Sequence, residues 1–309
     1  MSERQSAGAL AAAGVTVLFW SSAFVSIRSA GAAYSPGALA LGRLSVAAVL
    51  LGAFALVRRV GWPDRRAWPG ILTSGLLWFA GYMVFLNWGE RLVDAGTAAL
   101  IVNVGPILIA LLSAWLLHEA APRSLWLGIA VSFAGPVVVG LSMSGGGSSS
   151  LLGVLLCVLA AITYAIGVVS QKPALRYGSA LQITTYSALV AAIALLPFAG
   201  VLVHEAAKAP LSATLNVLYL GVGPTAIAFT TWAYALARTT ASRLGATTYL
   251  VPALVVLMSW LFLGEVPGWL TLAGGALCLA GVAVSRRRAV PPPPAVVPEE
   301  APVTGPAAP

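Results

Sequence analysis

One arginine, Arg43, falls inside an apolar run at residues 37–57. A guanidinium at membrane depth is costly unless it is paired, solvated or turned toward a cavity. Such a charge can hold a substrate carboxylate; the competing reading is a structural arginine bonded to carbonyls of a neighbouring helix. Asn103 and Tyr249 stand at equivalent positions, one turn before Pro106 and Pro252. An amide at this depth must find a partner, so Asn103 either bonds substrate or bridges helices. Each proline lies at the middle of an apolar run, removes a backbone hydrogen bond and frees a carbonyl. Paired breaks of this kind point to the site in repeat-built carriers, whereas a packing kink is the plainer alternative. Trp20, Trp78, Tyr82, Tyr164 and Trp232 lie away from the ends of their runs. Belt aromatics belong at interfaces, so these five face protein or a cavity, with Trp78 and Tyr82 on one helix face. Each alone fits a core; together some of them should line a cavity. Trp62, Trp68, Trp88 and Trp269 sit at run ends and read as interface anchors. Gly221-x-Gly223-Pro224-Thr225, with Gly75 as its first-half partner, marks a further break or close helix contact; Gly223 and Pro224 are the hinge candidates there.

The missing residue types narrow the chemistry. There is no G-x-x-x-x-G-K-[ST] loop, so the chain has no ATP drive of its own. The interiors of the apolar runs hold no Asp or Glu, so neither a carboxylate proton relay nor an acidic trap for cationic drugs is expected. His118 and His204 lie at run ends and form no metal set. No nucleophile stands with a base. No catalytic residue, cofactor or metal is therefore expected, and the chain does not read as an enzyme. Cys157 and Cys278 lie in apolar runs as small core residues without redox chemistry. Glu119 and Glu265 sit at hairpin turns and read as capping the following helix or bonding across the turn.

These side chains need elements to place them. The chain is 59% hydrophobic with only 8% charged residues and a mean hydropathy of +0.93, against about 25% charged in soluble proteins. Apolar runs recur at about 9–27, 37–57, 68–88, 95–117, 124–142, 151–171, 180–202, 212–236, 242–263 and 267–285. A backbone in lipid must satisfy its own hydrogen bonds, so runs of this length are helices. The expected fold is all-α and integral to the membrane, with ten spans. The first run reads as a span rather than a signal peptide, because Trp20, Ser26 and Arg28 align with Tyr164, Ser170 and Lys172 after the midpoint. Residues 95–135 repeat without a gap 146 positions later, Pro106 and Glu119 falling on Pro252 and Glu265. Residues 1–142 and 151–288 are therefore two five-helix repeats, joined by a Gly/Ser linker at 143–150 and followed by a disordered Pro-rich tail at 289–309. With the N-terminus inside, 13 Lys and Arg residues fall on inner segments and 3 (Arg28, Arg91, Lys208) on outer ones. That bias sets both ends in the cytoplasm. An odd span count per half inverts the second repeat against the first, an architecture whose site lies near the midplane. The net charge of +8 is spread over these loops and does not form a nucleic-acid patch.

Trp20-Ser21-Ser22, Pro36 with Arg43, and Pro106, Glu119, Gly128 and Gly135 with their second-half copies carry a family likeness. Over about Leu10 to Val284 the chain resembles the drug/metabolite transporter superfamily, in particular an EamA-type ten-helix carrier with two EamA repeats. The resemblance implies transport of small metabolites, often export of amino acids. The mid-helix aromatics make it most similar to exporters of aromatic and neutral amino acids. The expected protein is a secondary transporter working by alternating access in a bacterial-type inner (plasma) membrane, with an amino-acid-like substrate, the lipid bilayer as its surroundings and no nucleic-acid partner. Its cavity would be lined by spans 1, 3 and 4 and their mates 6, 8 and 9. Arg43 or Asn103 would hold the carboxylate; aromatic faces and freed carbonyls would hold the ammonium. The rivals are a carrier of another metabolite or drug, a channel, for which no polar ring is present, and a non-transporting scaffold or sensor. Oligomeric state is left open, a monomer being sufficient. The topology has a direct check. With Cys157 and Cys278 replaced by serine, a cysteine placed at Gly146 should react with an impermeant thiol reagent on intact cells, and one placed at Ala289 should react only after permeabilisation.

Overall fold

The computed structural model describes residues 3–116, 148–265 and 268–285, with isolated positions between 127 and 138. The described residues form helices and turns, without a strand. They are α1 (Glu3–Ala30), α2 (Pro36–Val57), α3 (Arg65–Leu92), α4 (Ala95–Leu116) and α5 (Ser148–Ala174). After these come α6 (Ala180–Ala194, continuing through a 53° bend into Leu196–Ala206), α7 (Leu211–Arg238), α8 (241–263) and α9 (Trp269–Ser285). Six of them are long and apolar enough to cross a membrane, or seven if the bent pair is one span. Most of the expected span at 124–142, Glu119 and the Pro-rich tail lie outside the described residues. α5 starts at Ser148, so helix takes up the end of the expected Gly/Ser linker.

Local signals set the helix ends. Pro36 opens α2, where a missing N–H costs nothing. Asp94 caps α4 by accepting from the Thr97 backbone N–H. Ser179 and Gln182 form a reciprocal capping box on α6. Gly264 closes α8 at φ +67°, a left-handed turn that suits glycine.

Between the ends the helices depart from α geometry at matched places. Ser74–Tyr82 in α3 and Gly221–Ile227 in α7 are π-helical. They are in register under the 146-residue shift. In the second, Pro224 leaves the Leu220 carbonyl without its usual donor, and the Thr225 hydroxyl donates to it at 2.7 Å. α4 turns at Asn103–Val104 and restarts as Gly105–Leu116; α8 passes through a 3-10 stretch, Ala246–Tyr249, and continues as Leu250–Leu263. Pro106 and Pro252 thus sit in the first turn of restarted helices, and the irregular backbone lies just before them, at Asn103 and Tyr249.

Glycines allow close helix contact, the usual device where lipid removes the hydrophobic drive between helices. A Cβ on Gly75 would lie 2.9 Å from the Ser187 carbonyl oxygen of α6, and one on Gly221 would lie 2.8 Å from the Arg43 carbonyl oxygen of α2. The two contacts have the same form in the two halves. Gly167 meets Trp78 in the same way, with 2.3 Å to the Trp78 Cβ. Gly221→Val should therefore destabilise the bundle by about 1–3 kcal/mol through overpacking, read as a lowered thermal midpoint in detergent. Gly52→Ala, whose Cβ meets nothing within 4 Å, should leave the midpoint unchanged or raise it.

Candidate functional site

Five aromatic side chains from four helices converge at the middle of the bundle. Trp20 of α1 lies 5.9 Å from Trp78 of α3, 6.2 Å from Tyr164 of α5 and 4.8 Å from Trp232 of α7, ring centroid to centroid. Phe229 of α7 closes the set at 4.7 Å from Trp78. Ring pairs at such spacings are worth about 0.5–1.5 kcal/mol beyond their area burial, so the cluster ties α1, α3, α5 and α7 together where the π-segments bend two of them.

A cavity of about 40 Å³ lies against this cluster. On that measure a water needs about 10–15 Å³, so the cavity admits a few waters, and anything larger enters only when the rings move. Arg43, Asn103, Pro106, Trp20, Trp78, Tyr82 and Tyr164 line it, and Thr248 and Phe229 complete its polar and apolar sides. Arg43 is 3% exposed. Its Nε donates to Thr225 Oγ1 at 3.1 Å. Since the Thr225 proton is committed to Leu220, only its lone pairs face the guanidinium.

Three buried donors have no hydrogen-bond partner among the described residues: Trp20 Nε1 and Asn103 Nδ2 on residues that line the cavity, and Trp232 Nε1 behind Trp20. All three are donors only. Leaving such groups unmade costs about 1–3 kcal/mol each. Donors beside a guanidinium can pair with an acceptor-rich, negatively charged group.

The structure does not gather every expected residue. Trp232 is fully buried and backs onto Trp20 without lining the cavity. Tyr249 is half-buried, and its neighbour Thr248 faces the cavity instead. A 3-10 helix has about three residues per turn, so the stretch Ala246–Tyr249 rotates side chains out of the α-helical count used to place Tyr249. Gly223 packs against α1, where an added Cβ would come 2.5 Å from the Phe19 ring. Pro224 acts through Thr225, and Pro252 is buried away from the cavity lining. Thr225 and Thr248 were not anticipated; the signal for Thr225 was a hydroxyl directly after a mid-span proline.

Two expectations about acids are corrected. α3 runs to Leu92, so Glu90 lies inside a helix and is only 1% exposed. Trp88, 44% exposed, was read as the end of the span, but residues two apart point to opposite sides of a helix, and Glu90 turns inward where Trp88 turns out. Glu265 does not cap the helix that follows it. Its Oε1 pairs with Arg28 Nε at 2.7 Å and its Oε2 accepts from the Ala95 N–H of α4 at 3.3 Å. Arg28 Nη1 also donates to the Glu90 carbonyl at 2.6 Å. In the other half Lys172, the counterpart of Arg28, donates to the carbonyls of Leu236 and Thr239; Leu236 is the counterpart of Glu90. The Arg28 and Glu265 side chains are 34% and 21% exposed. A pair so exposed is worth about 0–1 kcal/mol, a weak tie between α1 and the turn after α8.

A family model described as "EamA-like transporter family" matches residues 7–141 and again residues 151–287. A protein of Streptantibioticus cattleyicolor named "Probable terminal-alkyne amino-acid exporter" is 36% identical over 274 residues, covering 89% of this chain and 92% of its own. An "Uncharacterized transporter YdfC" of Bacillus subtilis is 35% identical, covering 85% of this chain and 86% of its own. A solved crystal structure superposes with a TM-score of 0.65 at 24% identity, covering 91% of this chain and 97% of that one, a likeness of fold alone. The aromatic cluster itself can be tested by stability. Trp232→Ala should cost about 3–5 kcal/mol, while Trp232→Phe, which keeps a six-membered ring against Trp20 but gives up the rest of the indole, should lower the thermal midpoint less.

Proposed function

The chain belongs to the EamA-like transporter family, and from that premise we propose that it is a secondary carrier exporting neutral or aromatic amino acids by alternating access. The observation that carries the proposal is the set of orphaned donors beside Arg43 in a nearly closed aromatic chamber. A zwitterion supplies what the chamber lacks: a carboxylate for Arg43, Asn103 and the Trp20 indole N–H, and a side chain for the rings. Its ammonium can rest on aromatic faces. Among the described lining residues of this chamber there is no Asp or Glu, which disfavours purely cationic substrates. The relative named as an amino-acid exporter fits the same class.

The carrier has ten spans in two inverted five-helix repeats, residues 1–142 and 151–288, in a bacterial-type inner membrane with both ends cytoplasmic. Matched π-segments, matched glycine contacts and the parallel bonds of Arg28 and Lys172 support this reading, as does the Lys and Arg count. In the cycle, opening at one end loosens the Arg28–Glu265 pair, and opening at the other loosens Lys172 from the α7 carbonyls. The rings part as the halves rock, and the chamber then takes a substrate it is too small to hold when closed. A non-transporting scaffold would gain nothing from buried unmade hydrogen bonds.

The test is counterflow of labelled amino acids, one at a time, in proteoliposomes with and without a pH gradient. Saturable counterflow of at least one neutral or aromatic amino acid is expected, falling roughly 10- to 150-fold in Arg43→Ala, the range for a lost hydrogen bond to a charged group. Absence of counterflow with every amino acid would remove the substrate class. Flux unchanged in Arg43→Ala would remove Arg43 from the site.

A further inference from the structure

A second cavity, of about 310 Å³, lies toward the end of the bundle closed by Arg28 and Glu265. It is lined by Asn87, Glu90 and Arg91 of α3, by Ile27 and Arg28 at the end of α1, and by Gly31 and Ala32. Ile27 also lines the aromatic chamber, as does Leu86, the residue before Asn87, so the two spaces share a wall. Three acceptor atoms in it have no partner among the described residues: both carboxylate oxygens of Glu90 and Oδ1 of Asn87. Glu90 and Asn87 are each 1% exposed. They lie three residues apart, on one face of α3. The amide orientation is settled by chemistry, because Nδ2 donates to the Pro36 carbonyl at 3.1 Å, a contact that an amide oxygen could not make. We propose that Asn87 and Glu90 form a subsite for the primary ammonium group of the transported substrate, an assignment that rests on the carrier reading above.

The neighbouring charges leave that role open. Arg28 is engaged by Glu265 and by the backbone carbonyl of Glu90, not by its carboxylate. Arg91 is exposed to solvent. The Asp94 carboxylate is occupied as the cap of α4. A buried carboxylate without a donor is costly, and an ammonium brings three N–H donors to three waiting acceptors. A hard metal ion would want six or more oxygens, and the described residues hold no group of three or more His, Cys, Asp or Glu. The two cavities are therefore complementary in polarity: donors and a guanidinium surround the aromatic chamber, whereas acceptors stand ready in the next space. A zwitterion passing from one to the other exchanges a hold on its carboxylate for a hold on its ammonium.

The experiment is inhibition of labelled L-phenylalanine counterflow in proteoliposomes by unlabelled L-phenylalanine and by 3-phenylpropionate, which lacks only the ammonium. The full-length wild-type protein should prefer L-phenylalanine by roughly tenfold or more, as for a charged hydrogen bond. Glu90→Gln, of nearly equal shape, should bring the ratio toward one while inhibition by 3-phenylpropionate stays at its wild-type value. Asn87→Ser should lower the ratio in the same direction. A wild-type ratio in Glu90→Gln would overturn the subsite. So would a Glu90→Gln protein that loses its response to a pH gradient but keeps the ratio, since the group bound would then be a proton. A wild-type protein that carries no amino acid fails differently, and takes the subsite down with the carrier reading.

Discussion

A helix that bends inside lipid must find a donor for each carbonyl it frees, and the candidate site grows out of that requirement. Pro224 frees the carbonyl of Leu220. The Thr225 hydroxyl satisfies it, and in doing so turns its own lone pairs toward Arg43. Gly221, without a side chain, lets α2 approach α7 closely enough for that bond to form. A buried cation is thus fixed at the point where the backbone departs from α geometry. In the other half the same geometry, at Gly75 against Ser187, holds two hydroxyls, Ser74 and Ser187, in contact instead of a charge. The two halves share a scaffold and differ in what the scaffold presents.

In the state described the central space is constricted. Its central chamber is far smaller than an amino acid, its rings are in mutual contact, and the ends are tied by Arg28 and by Lys172. None of these ties is strong. The Arg28–Glu265 pair is partly solvated, and each aromatic contact is worth on the order of 1 kcal/mol. Such a balance suits a carrier, where a substrate shifts the equilibrium only by the difference in its affinity for the two states.

Much of the arrangement was legible in the chain because depth in an apolar run can be counted. Arg43, Trp20, Trp78, Tyr82, Asn103 and Tyr164 each stood well inside a run, and all line one cavity. Where the count depended on the helix staying α-helical it failed, as at Tyr249, since a 3-10 turn shifts the face that follows. Where it depended on a span's end it failed again. Trp88 looked like an interface anchor and hid the turn of helix that carries Glu90 inward. Glu265 was read as a local cap because sequence shows neighbours along the chain, whereas its partners Arg28 and Ala95 are distant residues brought to it only by folding.

The central claim is that the aromatic chamber receives a carboxylate. The most direct measurement is the intrinsic tryptophan fluorescence of the purified protein, since Trp20 and Trp78 line the chamber and Trp232 touches Trp20. It would be titrated with L-leucine and with 3-methylbutylamine, the same molecule without its carboxylate. A saturable change with L-leucine and none with the amine is the expected result; equal responses to the two, or a response to the amine alone, would contradict it.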